Sequence, residues 1–569
     1  MRIGRTLLII LILAFALRIS GMFFGLPHAD VFGDEMSNTI TSFRVLDNQS
    51  LILPFSAKAY LPPLFSYLLA TVNGLIGVIG IALGKFAGIA GFKEFVILYK
   101  EWFLAPSRII AALFGVGTVY LTYLLAKKIF SEKIALLSAF LLAINFLHVH
   151  ETGIGHIWSP LVFFAVFSAH ASYCLYLTGE RKWYLLSSFS LGLGYAIGQI
   201  NIIFYPFFLL AHIFYIRKNQ DKFFSKKFVE ANFWTFGLVL LFTALNFYTI
   251  YKHFYDVILA VFKIVGLGEA VVSFFPRAIP QTAQNFSLWY NFVFVIKTLF
   301  YTSPIVFIFS LLGITVLLKK FKKDFSNIIL IGFPVFTLLV FFFIFYHFPS
   351  RYVLPLIPFI SIIASYFVFW LYENLYPKKS FLVFLVVLVS AYSLLSSVFY
   401  SYLLLKPYTV SSGVDWVYEN VPSGSRVVSD IYLTNNKESV EFLKKYNEYD
   451  WLDTRKLYLS KVDFSTYPNP NYFVIDNNLT DVFSLPEEEK RADYAIVFFY
   501  DKEGKEGEIK KNDILNVFGE RKKVASFYPK GEKGATESLL NLGAHFFLKN
   551  ILETRNLGPN VEIYKFTNK

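Results

Sequence analysis

Long apolar runs separated by short basic loops dominate the chain up to residue 405. A bilayer span needs about 20 mostly apolar residues. About eleven runs qualify, near 6–24, 104–126, 133–148, 160–178, 183–199, 202–216, 233–250, 292–318, 327–346, 353–372 and 380–405. Every second loop is basic: Lys127, Lys128 and Lys133; Arg181 and Lys182; Arg217, Lys218, Lys222, Lys226 and Lys227; Lys319, Lys320, Lys322 and Lys323; Lys378 and Lys379. Basic loops stay in the cytoplasm, so one orientation satisfies them all, with Met1 inside. The start, Met1-Arg2-Ile3-Gly4-Arg5 before an apolar run, mimics a signal peptide. It has no clear small-residue cleavage site and reads as a retained first helix. Segment 62–90 is apolar enough to cross, but a crossing there would invert every later loop. Pro62-Pro63 and the spaced glycines suit a helix lying in the interface or re-entering. Residues 25–101 therefore read as one long outer loop.

After residue 405 the pattern becomes polar, with short alternating runs at 426–431, 472–476, 494–500, 524–528 and 561–566 and helical periodicity at 414–420 and 439–446. This predicts a small α/β domain over 406–569, outside the cell membrane because the span count is odd. No glycine-rich phosphate loop occurs in it. The fold class expected is thus an α-helical polytopic cell-membrane protein with a membrane domain over 1–405 and an extracytoplasmic C-terminal α/β domain.

Composition agrees. Hydrophobic residues make up 56% and charged residues 16%, against about a quarter charged in soluble domains. The net charge of +13 sits in the loops and not on a soluble basic face, which argues against nucleic acid as a partner. Cys174, the one cysteine, excludes an intrachain disulfide and a cysteine metal cluster.

The sharpest local feature is Asp34-Glu35, just past the first span. Carboxylates beside a membrane are expensive unless used or solvated, and a carboxylate can serve as a general base. The plainer reading is a solvated acid pair, or Asp34 as a helix cap. Further along come Tyr60-Leu61-Pro62-Pro63-Leu64, then Ser107-Arg108 through Phe130 with Gly115, Thr118 and Tyr123, then Arg351-Tyr352-Val353-Leu354-Pro355-Leu356-Ile357-Pro358. Late echoes are Asp415-Trp416-Val417-Tyr418-Glu419-Asn420 and Pro559-Asn560-Val561-Glu562-Ile563-Tyr564. In this order they resemble the protein O-mannosyltransferase-like family of GT-C membrane glycosyltransferases.

That resemblance implies a GT-C fold and an inverting transfer of sugar from a polyprenyl-phosphate donor to a protein, lipid or glycan acceptor at the outer face. It implies Asp34 as catalytic base, with Glu35 supporting it or positioning acceptor or metal. The donor phosphate needs cationic or hydrogen-bonding partners. Arg351, with His347 and Tyr352 beside it, and Arg108 and Lys58 are the candidates. Interfacial anchoring is the plainer role for both arginines, as is a satisfied interfacial histidine for His347. Where the family carries Ser-Arg and then an Asp before Pro-Leu, this chain reads Thr152-Gly153 and Trp158. His148, His150 and Glu151, with His156, are candidate acceptor or loop contacts in compensation. Three histidines and a carboxylate are also a ligand set for a divalent cation, although His148 and His150 point apart on a helix; no other cofactor is expected. Two other readings stand beside the enzyme. One is a lipid-linked-sugar flippase, which the lack of paired repeats and of broken spans disfavours. The other is a degenerate scaffold, motivated by Trp158.

Overall fold

The computed structural model describes residues 2–28, 31, 34–49, 51, 63–245, 288–320, 325–344, 350–429, 469–476, 483, 490–500, 506–531, 534, 538, 539 and 547–567. The apolar runs form helices: α1 (Arg2–Ile19), α2 (Asp34–Asn48), α3 (Leu64–Ala82), α4 (Gly88–Leu98), α5 (Leu104–Ile129), α6 (Glu132–Ala143), α7 (Phe146–Gly153), α8 (Trp158–Thr178), α9 (Arg181–Ile197), α10 (Tyr205–Asn219), α11 (Lys226–Leu245), α12 (Leu288–Thr302), α13 (Pro304–Lys320), α14 (Phe333–Ile344), α15 (Ile357–Asn374) and α16 (Lys379–Leu403). Among the described residues, eight helical stretches are long and apolar enough to cross a bilayer, or up to ten with two sharply bent pairs. This is a multi-pass membrane protein. At the basic end of the bundle, Lys127 pairs with Glu132 at 3.1 Å, Arg181 pairs with Glu230, and Lys227 donates to the Gly179 carbonyl at 2.9 Å.

Two of the expected single spans are broken. The run 133–148 divides into α6 and α7, bent by 59°. Asn145 causes the break: its side chain accepts from the His148 N–H at 3.0 Å and so starts a new helix. The carbonyls freed at the end of α6 are met by Arg18 of α1, which donates to Ala143 at 3.1 Å and Leu142 at 3.4 Å. The run 292–318 divides at Ser303-Pro304 into α12 and α13, bent by 116°. Proline has no N–H to continue a helix but suits the first position of the next. The two breaks also meet, since Asn145 Nδ2 donates to Ser303 Oγ at 2.8 Å. Hydropathy summed over a span-length window reports neither bend.

The chain re-enters the bundle at the end where it left. Arg108, in the second turn of α5, donates to the carbonyl of Gly21, just past α1, at 3.0 Å. Between these points α2 and α3 lie along each other, tied by Asn73 Nδ2 to Ser42 Oγ at 2.9 Å.

Beyond α16, helix α17 (Thr409–Asn420) leads into strands β1 (Arg426–Ser429), β2 (Phe473–Asp476), β3 (Tyr494–Phe499), helix α18 (Glu506–Asn516), β4 (Arg521–Phe527), helix α19 (Phe547–Glu553) and β5 (Asn560–Phe566). All five strands fall on the runs expected from alternation; the helical pattern at 439–446 lies outside the described residues. The sheet order is β2-β1-β3-β5-β4, with β1 parallel to β2 and β3, and β5 antiparallel to β3 and β4. Successive side chains alternate faces. Val427, Val474 and Ile496 join Val410, Val414 and Val417 of α17 on one side, while Val428, Ile475 and Ala495 join Ile514 and Leu515 of α18 on the other. Phe547 of α19 stacks on Phe146 of α7, ring centroids 3.6 Å apart, and docks the sheet region onto the bundle.

Among the described residues the sheet holds a buried charge cluster. Glu562 on β5 receives Lys511 Nζ and Lys523 Nζ, each at 2.8 Å, and the hydroxyls of Tyr528 and Tyr564. Burial pushes this carboxyl upward, but these four hydrogen bonds prevail and hold it at about 2, from an ordinary 4.5. A shift of that size corresponds to about 3 kcal/mol of stability at neutral pH. The folded value is the lower one, so this contribution is complete above about 4.5 and is lost as pH falls toward about 2. Glu562→Gln should remove that acid dependence and leave Lys511, only 8% exposed, without its counter-charge. Hydrogen exchange of the β5 amides in the full chain should then speed up at pH 7 by roughly a hundredfold. Unchanged exchange would show that the cluster is not stabilising.

Candidate active site at one end of the bundle

Asp34 is the first residue of α2, and Glu35 follows it into the bundle. The Glu35 carboxylate is fully buried. Arg108 grips it with Nε at 3.0 Å from Oε1 and Nη2 at 2.7 Å from Oε2, and the Gly155 N–H donates to Oε1 at 2.5 Å. Arg108 Nη1 reaches the carbonyls of Gly21, Met22 and Phe24 at 3.0, 3.3 and 2.8 Å. The guanidinium fork suits a carboxylate held in this bidentate way. Glu35 thus ties the start of α2 to α5 and to the turn after α7. Gly155 is required there because a Cβ would stand 2.0 Å from Ser107 Oγ. Ser107 and Arg108 therefore meet the same turn: Gly155 leaves room for the serine, and the arginine meets the acid.

A second group sits across the same turn. Glu151 accepts from Ser350 Oγ at 3.1 Å and lies 3.2 Å from His156 Nε2. The Trp158 N–H points at His156 Nδ1 from 3.2 Å. That nitrogen must accept, so the neutral imidazole carries its proton on Nε2 and donates it to Glu151. Arg351 follows Ser350 in the chain. The Tyr352 ring lies tilted against Trp158, centroids 4.8 Å apart, with Phe341 edge-on to it at 5.7 Å. Trp158 thus fills, with an aromatic ring against Tyr352, the position where the resemblance expects an acid.

His148 and His150 go separate ways on α7, as a helix requires. His148 Nδ1 lies 2.6 Å from Arg18 Nη2, and His150 Nδ1 lies 2.7 Å from the Tyr400 hydroxyl. Among the described residues no group of three His, Cys, Asp or Glu side chains is arranged to hold a metal ion. Lys58 and His347 lie outside the described residues. The structure brings Glu35, Arg108, Glu151, Arg351 and Tyr352 to one end of the bundle, beneath the sheet region. There Ser411 of α17 donates to the Gly25 carbonyl at 3.3 Å, and His28 pairs with Asp415 at 2.7 Å.

Sequence reasoning missed Arg18. Its Nε donates to Thr152 Oγ1 at 2.8 Å and its Nη1 to the Ala14 carbonyl at 2.7 Å, besides the α6 carbonyls. It sits 1% exposed in the last turn of α1, after a long uncharged run. An arginine in a span is itself the signal that could have found it.

Residues 103–253 match the family described as dolichyl-phosphate-mannose-protein mannosyltransferase. No curated protein matches the chain. Among solved structures, the Archaeoglobus fulgidus oligosaccharyltransferase, in complex with Zn and sulfate, is similar at 15% identity and a TM-score of 0.45, over 77% of this chain and 57% of that one. ArnT from Cupriavidus metallidurans, bound to undecaprenyl phosphate, is similar at 11% identity and a TM-score of 0.44, over 99% of this chain and 98% of that one. The chain thus spans little more than half the length of the first of these, and likenesses this faint assign no residue a role. Over residues 103–253, on which Arg108, His148, His150 and Glu151 lie, the chain is similar to the dolichyl-phosphate-mannose-protein mannosyltransferases.

Proposed function

We propose that this protein is an inverting GT-C glycosyltransferase that moves a sugar from a polyprenyl-phosphate donor to a protein, lipid or glycan acceptor. The site lies at the bundle end under the C-terminal domain. The observation that carries this reading is the buried Glu35–Arg108 clamp, which sets the first turn of α2, and with it Asp34, against α5 of the family-like segment. Asp34 takes the proton from the acceptor's hydroxyl or amine. The acceptor atom bonds to the anomeric carbon while the bond from that carbon to the phosphate oxygen breaks. The electron pair leaves with the polyprenyl phosphate, which is a stable anion and needs no proton. One displacement inverts the anomeric centre, and one base suffices, so Trp158 in place of a second acid is compatible with turnover.

Purified protein in vesicles with a radiolabelled polyprenyl-phosphate sugar tests this against the flippase reading. Without acceptor the label should stay on the donor and in its leaflet. With a cell-envelope extract added it should pass to an acceptor. Movement across the bilayer without acceptor, and no transfer with it, would favour the flippase.

Arg351 is the proposed phosphate contact. A hydrogen bond to a charged group contributes about 1.5–3 kcal/mol. Arg351→Ala should therefore raise the donor KM by roughly tenfold to a hundredfold while the protein stays folded, and Arg351→Lys should recover part of that. Wild-type donor affinity in both would move the contact elsewhere; of the two other candidates, Lys58 and Arg108, the second is already engaged by Glu35.

The proposed orientation has the N-terminus in the cytoplasm and the site and C-terminal domain outside, with α3 lying in the interface. Reporters fused after Lys58 and after Lys100 should both report the outside. Opposite answers would make α3 a span and put the C-terminal domain in the cytoplasm.

A further inference from the structure

Helices α13 and α15 touch closely at Gly313. A Cβ at Gly313 would stand 2.8 Å from the carbonyl oxygen of Ile363 and 3.3 Å from the Cβ of Phe367. Beside that contact, Leu312, Thr315, Val316 and Lys319 of α13 face Phe367 and Trp370 of α15 across a groove of about 430 Å³. Spacings of three, four and seven put the four α13 residues on one helix face. The volume is that of a small-molecule site. Leu312, Thr315 and Lys319 are exposed, so the groove opens on the flank of the bundle, where the surrounding medium is lipid.

The lining is graded along the membrane normal. Leu312, Val316 and Phe367 are apolar, while Lys319 and Trp370 lie toward the helix ends at the basic side. A cation and an indole at one depth mark the headgroup level. Among the described residues no hydrogen bond or ion pair engages Lys319. Lys320, Lys322 and Lys323 follow it in the sequence, so the local charge is strongly positive.

We infer that this groove is a binding site for one anionic phospholipid. Its phosphate rests on the Lys319 ammonium beside Trp370, and one acyl chain lies along Leu312, Val316 and Phe367. The inference is independent of the enzymatic reading, since the groove is at the opposite end of the bundle from Glu35 and Arg108. A charge at the membrane surface contributes about a fivefold preference for an anionic lipid.

Fluorescence quenching by acyl-brominated lipids in phosphatidylcholine vesicles tests it. The difference between wild type and Trp370→Phe isolates the signal of Trp370. That signal should reach half-quenching at about fivefold lower mole fraction of brominated phosphatidylglycerol than of brominated phosphatidylcholine. In Lys319→Gln, an exposed change that leaves the fold intact, the two curves should merge. Coincident curves in the wild type would overturn the inference. So would a preference that survives undiminished in Lys319→Gln, because it would then belong to the diffuse charge of the neighbouring lysines.

Discussion

Arg108→Ala should leave little folded protein, or protein that melts far below the wild type. The guanidinium neutralises a fully buried Glu35 and meets the carbonyls of Gly21, Met22 and Phe24 where the chain leaves α1. Removing one partner of a buried ion pair costs about 3–5 kcal/mol, because the other charge stays buried and uncompensated. Typical total stabilities are only about 5–15 kcal/mol. Arg108→Lys keeps the charge but loses the fork, and should fall between. Removing both charges, as Glu35→Leu with Arg108→Met, should restore much of the stability, since an apolar pair of similar volume often replaces a buried ion pair at no loss. Thermal unfolding in detergent, followed by size exclusion, reads all three. An unchanged melting temperature for Arg108→Ala would mean that the clamp does not hold α2 in place.

Asp34→Asn should have the largest effect on turnover. The substitution keeps the shape of the side chain and removes only the ability to take a proton. A positioned base contributes a factor of about 10² to 10⁴. The loss should appear in kcat, with donor binding and melting temperature close to wild type. Glu35→Gln should behave differently. It leaves Arg108 buried without its counter-charge, so its activity loss should come with lost stability. A base and a positioning residue one position apart are separable by that contrast.

Most helices and all five strands were legible because their signals are local. Val427-Val428 and Ile496-Val497 alternate between two buried faces, and each basic loop follows its own apolar run. The acid pair Asp34-Glu35 and the Ser107-Arg108 dipeptide were legible as features, but their joint meaning was not. That Glu35 meets Arg108 depends on α2 folding back against α5, and the intervening chain carries no periodic mark of it. The breaks at Asn145 and Ser303 were hidden for a similar reason. Asn145 ends an apolar run as an ordinary polar residue until Arg18, on another helix, takes the carbonyls it releases. Ser303-Pro304 was a readable stop signal that a span-length average of hydropathy smoothed away. Glu562 lies in a strand that alternation located correctly, but Lys511 and Lys523 come to it from α18 and β4, which no linear spacing links.

The central claim is that Asp34 is the base of a sugar transfer at this end of the bundle. The most direct measurement is the initial rate of transfer from a radiolabelled polyprenyl-phosphate sugar by purified protein in lipid, with Asp34→Asn compared against wild type at equal amounts of folded protein. The account predicts a rate lower by about 10² to 10⁴ with donor binding retained. Transfer by Asp34→Asn at the wild-type rate would contradict it and favour the scaffold reading.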